Sequence, residues 1–438
     1  MSDLTDRPVV LSLERPMSAA VRIPGTKSYT NRALVAAALA PGESRLRNAS
    51  ASDDARYLVE ALRLIGIDVT ERAAQQEIVV AGGGGVFPRL GGPVFLGNAG
   101  TAMRFLLALA CTGRGHLILD GSPRMQERPI QDLVDALNAL GGRVRCLRGN
   151  GCPPVEVEAS GLMGGRAILR GGVSSQYLSA LLLAAPAARG PVEVEIDGEL
   201  TSKTYVDMTI ATMRAFGAAV QAEGYRRFAV TPASPYRPTD YRIEPDAAGA
   251  NYAFALAAAT GGRVRVYGLG RDSVQGELRF VDLLARMGCA VSRDADWTEV
   301  RGPAGGARLR GIDADLNALP DSAQTLAVLA LFAEGPTTIR NVSNLRVKET
   351  DRIAALAREL RKLGAAVEER PDGLTVTPPA VCRPAAIDSY GDHRMVMSFA
   401  LAAVRVPGTV LRDPACVSKS FPEFFDVFQS LGVRVGRA

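Results

Sequence analysis

The sequence predicts an α/β protein of two domains, written as six β-α-β-α-β-β repeats. Three observations predict it. First, an apolar helix ending in Gly and leading into a short strand recurs as VEALRLIGIDV, VDALNALGGRV, IATMRAFGAAV, VDLLARMGCAV, ARELRKLGAAV and FDVFQSLGVRV. Its glycines, Gly66, Gly141, Gly217, Gly288, Gly364 and Gly432, lie 75, 76, 71, 76 and 68 residues apart, close to one sixth of the 438-residue chain. Each stands where a helix C-cap favours positive φ. Second, a small or polar cluster opens another helix ahead of each glycine. Third, that other helix is apolar nearly all round, as in ALVAAALA and SALLLAAPAA, so it is expected to be buried, while the Gly-ended helix is amphipathic and is expected outside.

In chain order the openings are TKSYTNR (26–32), NAGTAMR (98–104), VSSQYLS (173–179), DAAGANY (246–252), PDSAQTL (320–326) and GDHRMVM (391–397). Strands such as HLILD, PVEVEI, RVRVYGL and TTIRNV follow, then the second helices, then paired short strands such as RRFAVTP. Strands alternating with helices imply right-handed parallel crossovers. The last repeat stops at Ala438 short of its closing strands, and the N-terminal strands VVLSLE and AAVRIP are expected to complete it. Residues 1–24 and 245–438 then form one discontinuous domain of three repeats, and 25–244 an inserted domain of three. Linkers near Pro24 and Pro245 would make a hinge.

Composition narrows the function. Net charge is +5, too small for a nucleic-acid coat, and aromatics are 5% with Trp297 the single tryptophan, so a base-stacking surface has little material. The six cysteines, Cys111, Cys146, Cys152, Cys289, Cys382 and Cys416, show no C-x-x-C spacing, which suits a reduced cytoplasmic protein. Two histidines, His116 and His393, speak against a multi-histidine metal site. The N-terminus, with Asp3 and Asp6, has no secretory h-region, and the longest apolar stretch, 178–185, is far short of a membrane span. The run GGGG at 82–85 fits no phosphate-loop pattern and reads as a hairpin or loop.

The openings repeat in position but not in chemistry. Lys27, Ser28 and Arg32 lie in the first, Gly100 and Arg104 in the second, and Ser174, Ser175 and Gln176 in the third. Asp321 lies in the fifth, and Asp392 and Arg394 in the sixth. Helix N-termini expose unpaired N–H groups and the positive end of the dipole, so a basic residue there is unfavourable and a bound anion compensates it. Ser28, Thr101 and Ser174 read equally as plain N-caps. In RVKETDRI, Lys348 and Arg352 are expected on one helix at i,i+4, and Glu349 with Arg352 reads as a surface ion pair. Arg128 precedes Pro129, which suits helix position N1, and Lys419 is expected at the start of the last outer helix. His393 reads first as a structural hydrogen-bonding group.

The blocks PGTKSYTNR, LGNAGTAMR, PRMQERPI, GGVSSQYLSALL, LTSKTYVD, LPDSAQT, NLRVKETDRI, GDHRMVMS and CVSKSFP resemble those of the 5-enolpyruvylshikimate-3-phosphate (EPSP) synthases, in that family's order from residue 24 to 422. The resemblance implies a two-domain inside-out α/β barrel with the active site in the interdomain cleft, domain closure, and a monomer. It also implies the reaction: shikimate 3-phosphate and phosphoenolpyruvate give 5-enolpyruvylshikimate 3-phosphate and phosphate. This is a step of the shikimate pathway toward chorismate and the aromatic amino acids. No cofactor, metal, nucleic acid or membrane is implied, and N-phosphonomethylglycine (glyphosate) would compete with phosphoenolpyruvate.

Carried over by motif, Lys27, Ser28, Arg32, Ser174, Ser175, Gln176, Ser202, Tyr205, Asp321, Asn344 and Lys348 would bind shikimate 3-phosphate. Lys27, Gly100, Arg128, Gln176, Arg352, Arg394 and Lys419 would bind phosphoenolpyruvate. Asp321, helped by Lys27, is the expected base for the attacking hydroxyl, and Glu349 the expected acid for C3. Phe105 stands where many members carry Pro, and Thr26 where Ser is commoner. The sister transferase acting on UDP-N-acetylglucosamine usually carries a reactive Cys near the stretch that is SPRMQERP here, and no Cys lies between Cys111 and Cys146. A nucleic-acid clamp of repeated αβ units would need rows of Lys and Arg along exposed helix faces, and here the bases sit at helix ends.

Overall fold

The computed structural model describes residues 7–15, 17–303 and 307–438. Residues 1–6, read above against a secretory segment and as the start of the 1–24 piece, lie outside the described residues. The chain separates into two compact units. One joins the segment up to Pro24 with Pro245–Ala438, and the other is Gly25–Glu244.

The Gly25–Glu244 unit carries α1 (Lys27–Leu39), α2 (Asp53–Leu64), α3 (Gly100–Thr112), α4 (Gln131–Ala139), α5 (Ser175–Ala184) and α6 (Lys203–Ala215). The other carries α7 (Ala247–Thr260), α8 (Phe280–Arg286), α9 (Ala323–Leu329), α10 (Arg352–Lys362), α11 (His393–Arg405) and α12 (Phe424–Ser430). Odd-numbered helices are buried on nearly every side, and in each unit they pack on one another. Their alanines make this possible, because small side chains let neighbouring backbones approach. Even-numbered helices bury one stripe, as α2 does with Ala55, Leu58, Val59, Ala61 and Leu62. Each unit has its own apolar core.

Among the described residues there are six four-stranded sheets, three per unit, all with one plan. In the sheet of strands 93–95, 114–120, 155–160 and 144–146, the first pair is parallel and the other two pairs antiparallel. The parallel pair is the crossover over a buried helix, and the last two strands follow the outer helix as a hairpin. The six glycines that end the outer helices have φ between +90° and +102°, which explains the Gly in each recurring phrase.

Three strands come from elsewhere in the chain. Strand 9–12 lies antiparallel between 410–411 and 434–437 and completes the last sheet. Strand 18–22 does not. It runs parallel to 263–267 and opens the sheet that follows α7, so only the first N-terminal strand closes the last repeat. Likewise 240–242 runs parallel to 41–47 and opens the first sheet of the Gly25–Glu244 unit. Each of these two opening strands leads directly into a crossing of the chain between units, at Pro24 and at Glu244.

Gly82 lies within strand 77–83 of the GGGG run, against α1. A Cβ there would sit 2.0 Å from the Ala37 carbonyl oxygen and 2.2 Å from that of Ala40. Backbone cannot yield as a side chain can, so Gly82→Ala should force the strand off the helix. The expected loss is about 1–3 kcal/mol in urea unfolding, whereas Gly91→Ala, where φ is not left-handed and the nearest atom is 3.9 Å away, should cost less.

Candidate functional site

In the Gly25–Glu244 unit the candidate residues gather at the N-terminal ends of buried helices. Thr26, not Ser28, caps α1: its Oγ1 accepts the Ser28 N–H at 3.2 Å. Lys27 follows, and its Nζ donates to Asp54 Oδ2 at 2.7 Å. Asp54 is buried in the first turn of α2, so this carboxylate supplies the compensation at Lys27 that was assigned above to a bound anion. One turn on, Arg32 is buried. Its Nε donates to Thr209 Oγ1 at 2.8 Å, Nη1 to the Ser28 carbonyl at 2.8 Å and Nη2 to the Tyr205 carbonyl at 2.9 Å. Its guanidinium lies 5.4 Å from the centre of the Phe105 ring, so Phe105 serves as its floor. Burial pushes the Arg32 pKa down to about 10, which still leaves it charged at neutral pH.

Thr101 is likewise inside α3 rather than its cap, and its Oγ1 accepts from Gln176 Nε2 of α5 at 3.2 Å. Arg104 is buried and donates to the carbonyls of Gly100 at 3.2 Å and Pro129 at 3.0 Å. Arg128 Nη1 donates to the Asn98 carbonyl at 3.2 Å and to Asn98 Oδ1 at 3.0 Å. A Cβ on Gly100 would lie 2.5 Å from Arg128 Nη2, so the guanidinium lies across the start of α3. It does not face α4, which begins at Gln131 with Ile130 as its N-cap, and Pro129 is not at N1. Ser174 does cap α5, accepting the Gln176 N–H at 3.3 Å, and Ser175 is buried beside it. The Thr201 N–H donates to the Gly171 carbonyl at 3.1 Å, which ties the segment carrying Ser202 to the segment entering α5. Ser202 has φ +54°, a left-handed conformation that costs a non-glycine residue and recurs at functional positions.

In the Pro245–Ala438 unit the charged residues form one cluster. Arg352 is the first residue of α10, with Asp351 as N-cap, and Lys348 ends the preceding 3-10 turn. Lys348 and Arg352 therefore do not share a helix. Arg352 is buried. Its Nε donates to Asp392 Oδ2 at 2.7 Å, Nη2 to Glu349 Oε2 at 2.8 Å and Nη1 to Asp321 Oδ1 at 3.1 Å. The Glu349–Arg352 pair is thus a buried ion pair, not a surface one. Burial alone would lower the Arg352 pKa, but Asp392, Glu349 and Asp321 together raise it. Arg394 Nη2 donates to Asp321 Oδ2 at 2.7 Å and Nη1 to the Tyr252 hydroxyl at 3.2 Å. Lys419 Nζ lies 3.5 Å from Glu349 Oε1. Lys419 closes the 414–419 turn rather than opening α12, which starts at Phe424. Asn344, in the 343–347 turn, has a buried Oδ1 with no hydrogen-bond partner. His393 is buried at the start of α11, 3.4 Å from Asp392.

Each unit therefore collects its own part of the candidate set. Sequence reasoning missed the residues that hold these groups: Asp54 on Lys27, Asn98 under Arg128, Thr209 beside Arg32, and Asp392 as a ligand of Arg352. The acids stand at helix starts, where a carboxylate is already accounted for by capping or the helix dipole, so their distant partners leave no local signal. Among the described residues no His, Cys, Asp or Glu group of three or more is placed to hold a metal ion.

The sequence pattern of the family described as EPSP synthase (3-phosphoshikimate 1-carboxyvinyltransferase) matches residues 12–428. The chain belongs to the EPSP synthase family. A 3-phosphoshikimate 1-carboxyvinyltransferase of Sulfurovum sp. is 45% identical over 434 residues, covering 98% of this chain and 99% of that one. The chloroplastic enzyme of that name from Brassica napus is 46% identical over 437 residues, covering 97% of this chain and 85% of that one. A solved EPSP synthase from Acinetobacter baumannii matches with a TM-score of 0.81 at 25% identity, covering 99% of this chain and 100% of that one. These likenesses cover nearly the whole chain.

Two substitutions separate support from contact. Arg352→Met leaves buried Asp392 and Glu349 without their shared cation, and should cost about 3–5 kcal/mol in denaturant unfolding. Gly100→Ala meets only the tip of a flexible side chain, so unfolding should shift little, while the displaced Arg128 should raise the KM for an anionic substrate.

Proposed function

We propose that this chain transfers the enolpyruvyl (1-carboxyvinyl) group of phosphoenolpyruvate to the 5-hydroxyl of shikimate 3-phosphate and releases phosphate. The observation that carries the reading is the cluster in which Arg352 joins Asp321, Glu349 and Asp392. It sets two carboxylates with different second cations, Arg394 and Lys419, among guanidinium groups suited to carboxylate and phosphate oxygens.

Asp321 accepts the proton of the 5-hydroxyl, with Lys27 assisting, as that oxygen bonds to C2 of phosphoenolpyruvate. Glu349 gives a proton to C3. In the tetrahedral adduct, C3 returns its proton, the C2–C3 double bond reforms and the C2–O bond to phosphate breaks. Lys27, Arg128, Arg352, Arg394 and Lys419 stabilise the phosphate as it leaves, with Gln176 and Gly100 beside it. Ser174, Ser175 and Ser202 hold the phosphate of shikimate 3-phosphate, with Ser28, Arg32, Gln176 and Tyr205 around the ring. Asn344 and Lys348 hold its hydroxyl side, where the buried acceptor of Asn344 suits a hydroxyl donor.

The two residue sets act on one pair of substrates, each set presented by an inside-out barrel of three repeats, and the chain works as a monomer. The setting is the cytoplasm: all six cysteines are free, and among the described residues no helix is long and apolar enough to cross a membrane.

A coupled phosphate-release assay tests the reading. Phosphate should appear only when both substrates are present, and its absence overturns the proposal. Asp321→Asn and Glu349→Gln should each lower kcat by about 10²-fold or more. Glu349→Gln should also suppress exchange of solvent deuterium into the C3 methylene. Near-normal turnover and exchange in that variant would leave Glu349 as an ion-pair partner only, with Lys27 the next candidate acid.

A further inference from the structure

We propose that Glu277 is a positioning residue for this reaction: it grips the 320–322 turn so that the Asp321 carboxylate keeps its place between Arg352 and Arg394. The inference rests on the reading of Asp321 as the base. Glu277 belongs to a different repeat, in the 276–279 turn that leads into α8, and it is buried. Its Oε1 accepts the Asp321 N–H at 3.2 Å, and its Oε2 pairs with the Ser322 hydroxyl. Asn251 of α7 fastens both turns at once, donating from Nδ2 to the Glu277 carbonyl at 2.8 Å and to Ser322 Oγ at 3.0 Å. The adjacent Gln275 takes the Ala247 N–H on its Oε1 at 3.1 Å and donates to the Pro245 carbonyl at 2.8 Å. One short turn therefore holds both the start of α7 and the residue assigned as base.

A grip made by a second carboxyl beside Asp321 works best if it adds no second charge. The groups facing Glu277 are Asp321 and Ser322 from the 320–322 turn, Arg394 from α11, and Asn251 from α7, whose neighbour Tyr252 bonds Arg394. Arg279 of its own turn, and Asp282 and Arg286 of α8, are exposed. Burial first, and then the Asp321 charge, push the Glu277 pKa from 4.5 up to about 8, with Ser322 and Arg394 pulling the other way. At neutral pH Glu277 is thus a neutral acid, able to share its proton with Ser322 while still accepting from Asp321. Above about 8 its ionisation places a negative charge beside the base and competes for Arg394. The folded protein holds this proton between pH 4.5 and about 8 where the unfolded chain does not. Its contribution to stability is therefore full below that window and is lost as pH rises through it.

The test compares the full-length protein with Glu277→Gln and Glu277→Ala, in phosphate release and in thermal unfolding across a pH series. Gln keeps an acceptor for the Asp321 N–H and cannot ionise. It should stay close to wild type in kcat below neutrality, lose the wild type's alkaline decline, and show a flatter fall of Tm with rising pH. Ala removes the grip and should lower kcat by about tenfold or more, as expected for a misplaced catalytic group, with KM for shikimate 3-phosphate little changed. A Glu277→Ala protein with wild-type kcat and only a lower Tm would reduce Glu277 to a structural residue and overturn the proposal. So would a Glu277→Gln protein with the wild type's pH profiles of kcat and Tm. If Glu277→Ala does not fold, the Gln arm decides. A wild type that releases no phosphate sinks the functional reading instead, while the pH dependence of Tm still reads the grip on its own.

Discussion

Arg352 is the interaction on which the chemistry of the Pro245–Ala438 unit depends. A buried guanidinium at a helix N-terminus is doubly unfavourable, once for desolvation and once for the dipole. It is tolerated because three carboxylates from three chain segments, at 321, 349 and 392, close on it. The planar fork matters here. A lysine also has three donors, but all on one nitrogen, so three carboxylates would have to crowd around a single point instead of spreading along a fork. Since those segments belong to different repeats or to their edges, one side chain registers the ends of α9, α10 and α11 against each other.

The same cluster constrains how an anion is received. Arg352, Arg394 and Lys419 are paired with Asp321, Glu349 and Asp392. An anion that engages these cations competes with the carboxylates that already hold them. The Gly25–Glu244 unit is built otherwise. Lys27 has Asp54, but Arg32 is held by carbonyl and hydroxyl oxygens and keeps its charge among neutral groups. The two units thus hold their buried cations differently, one chiefly with carboxylates and the other with neutral oxygens as well.

The parts of the structure legible in the sequence were those with local causes. The helix-ending glycines announce themselves because positive φ is a demand of one residue, and all six have it. The openings announce themselves as small and polar clusters, although of Ser28, Thr101 and Ser174 only Ser174 is a cap, Thr26 capping α1 and Ala99 preceding α3. The borrowed strands did not, because 240–242 pairs with 41–47 and 18–22 with 263–267 across long loops of chain, and a three- to five-residue strand carries no mark of its partner. RVKETDRI read as one helix because its residues tolerate one, yet the Asp351 cap starts α10 at Arg352, which aims Glu349 and Arg352 at each other instead of along a surface. Buried acids were the hardest: Asp54 and Glu277 look like ordinary first-turn carboxylates until their partners, 27 and 44 residues away, are in place.

A site that needs a base and an acid at once must keep two similar carboxylates apart in proton affinity. Asp321 and Glu349 share Arg352, so the shared cation cannot distinguish them. Their second partners can. Asp321 has Arg394 at 2.7 Å, fixed at the start of a buried helix and braced by Tyr252. Glu349 has Lys419 at 3.5 Å, on a flexible stem at the end of a short turn. An anion drawn to this cluster recruits the looser cation first. Under the proposed roles, drawing Lys419 off Glu349 would leave that carboxylate less compensated than Asp321, which keeps Arg394. On the proposed assignment, the looser pairing suits Glu349 to the role of acid and the tighter one suits Asp321 to that of base.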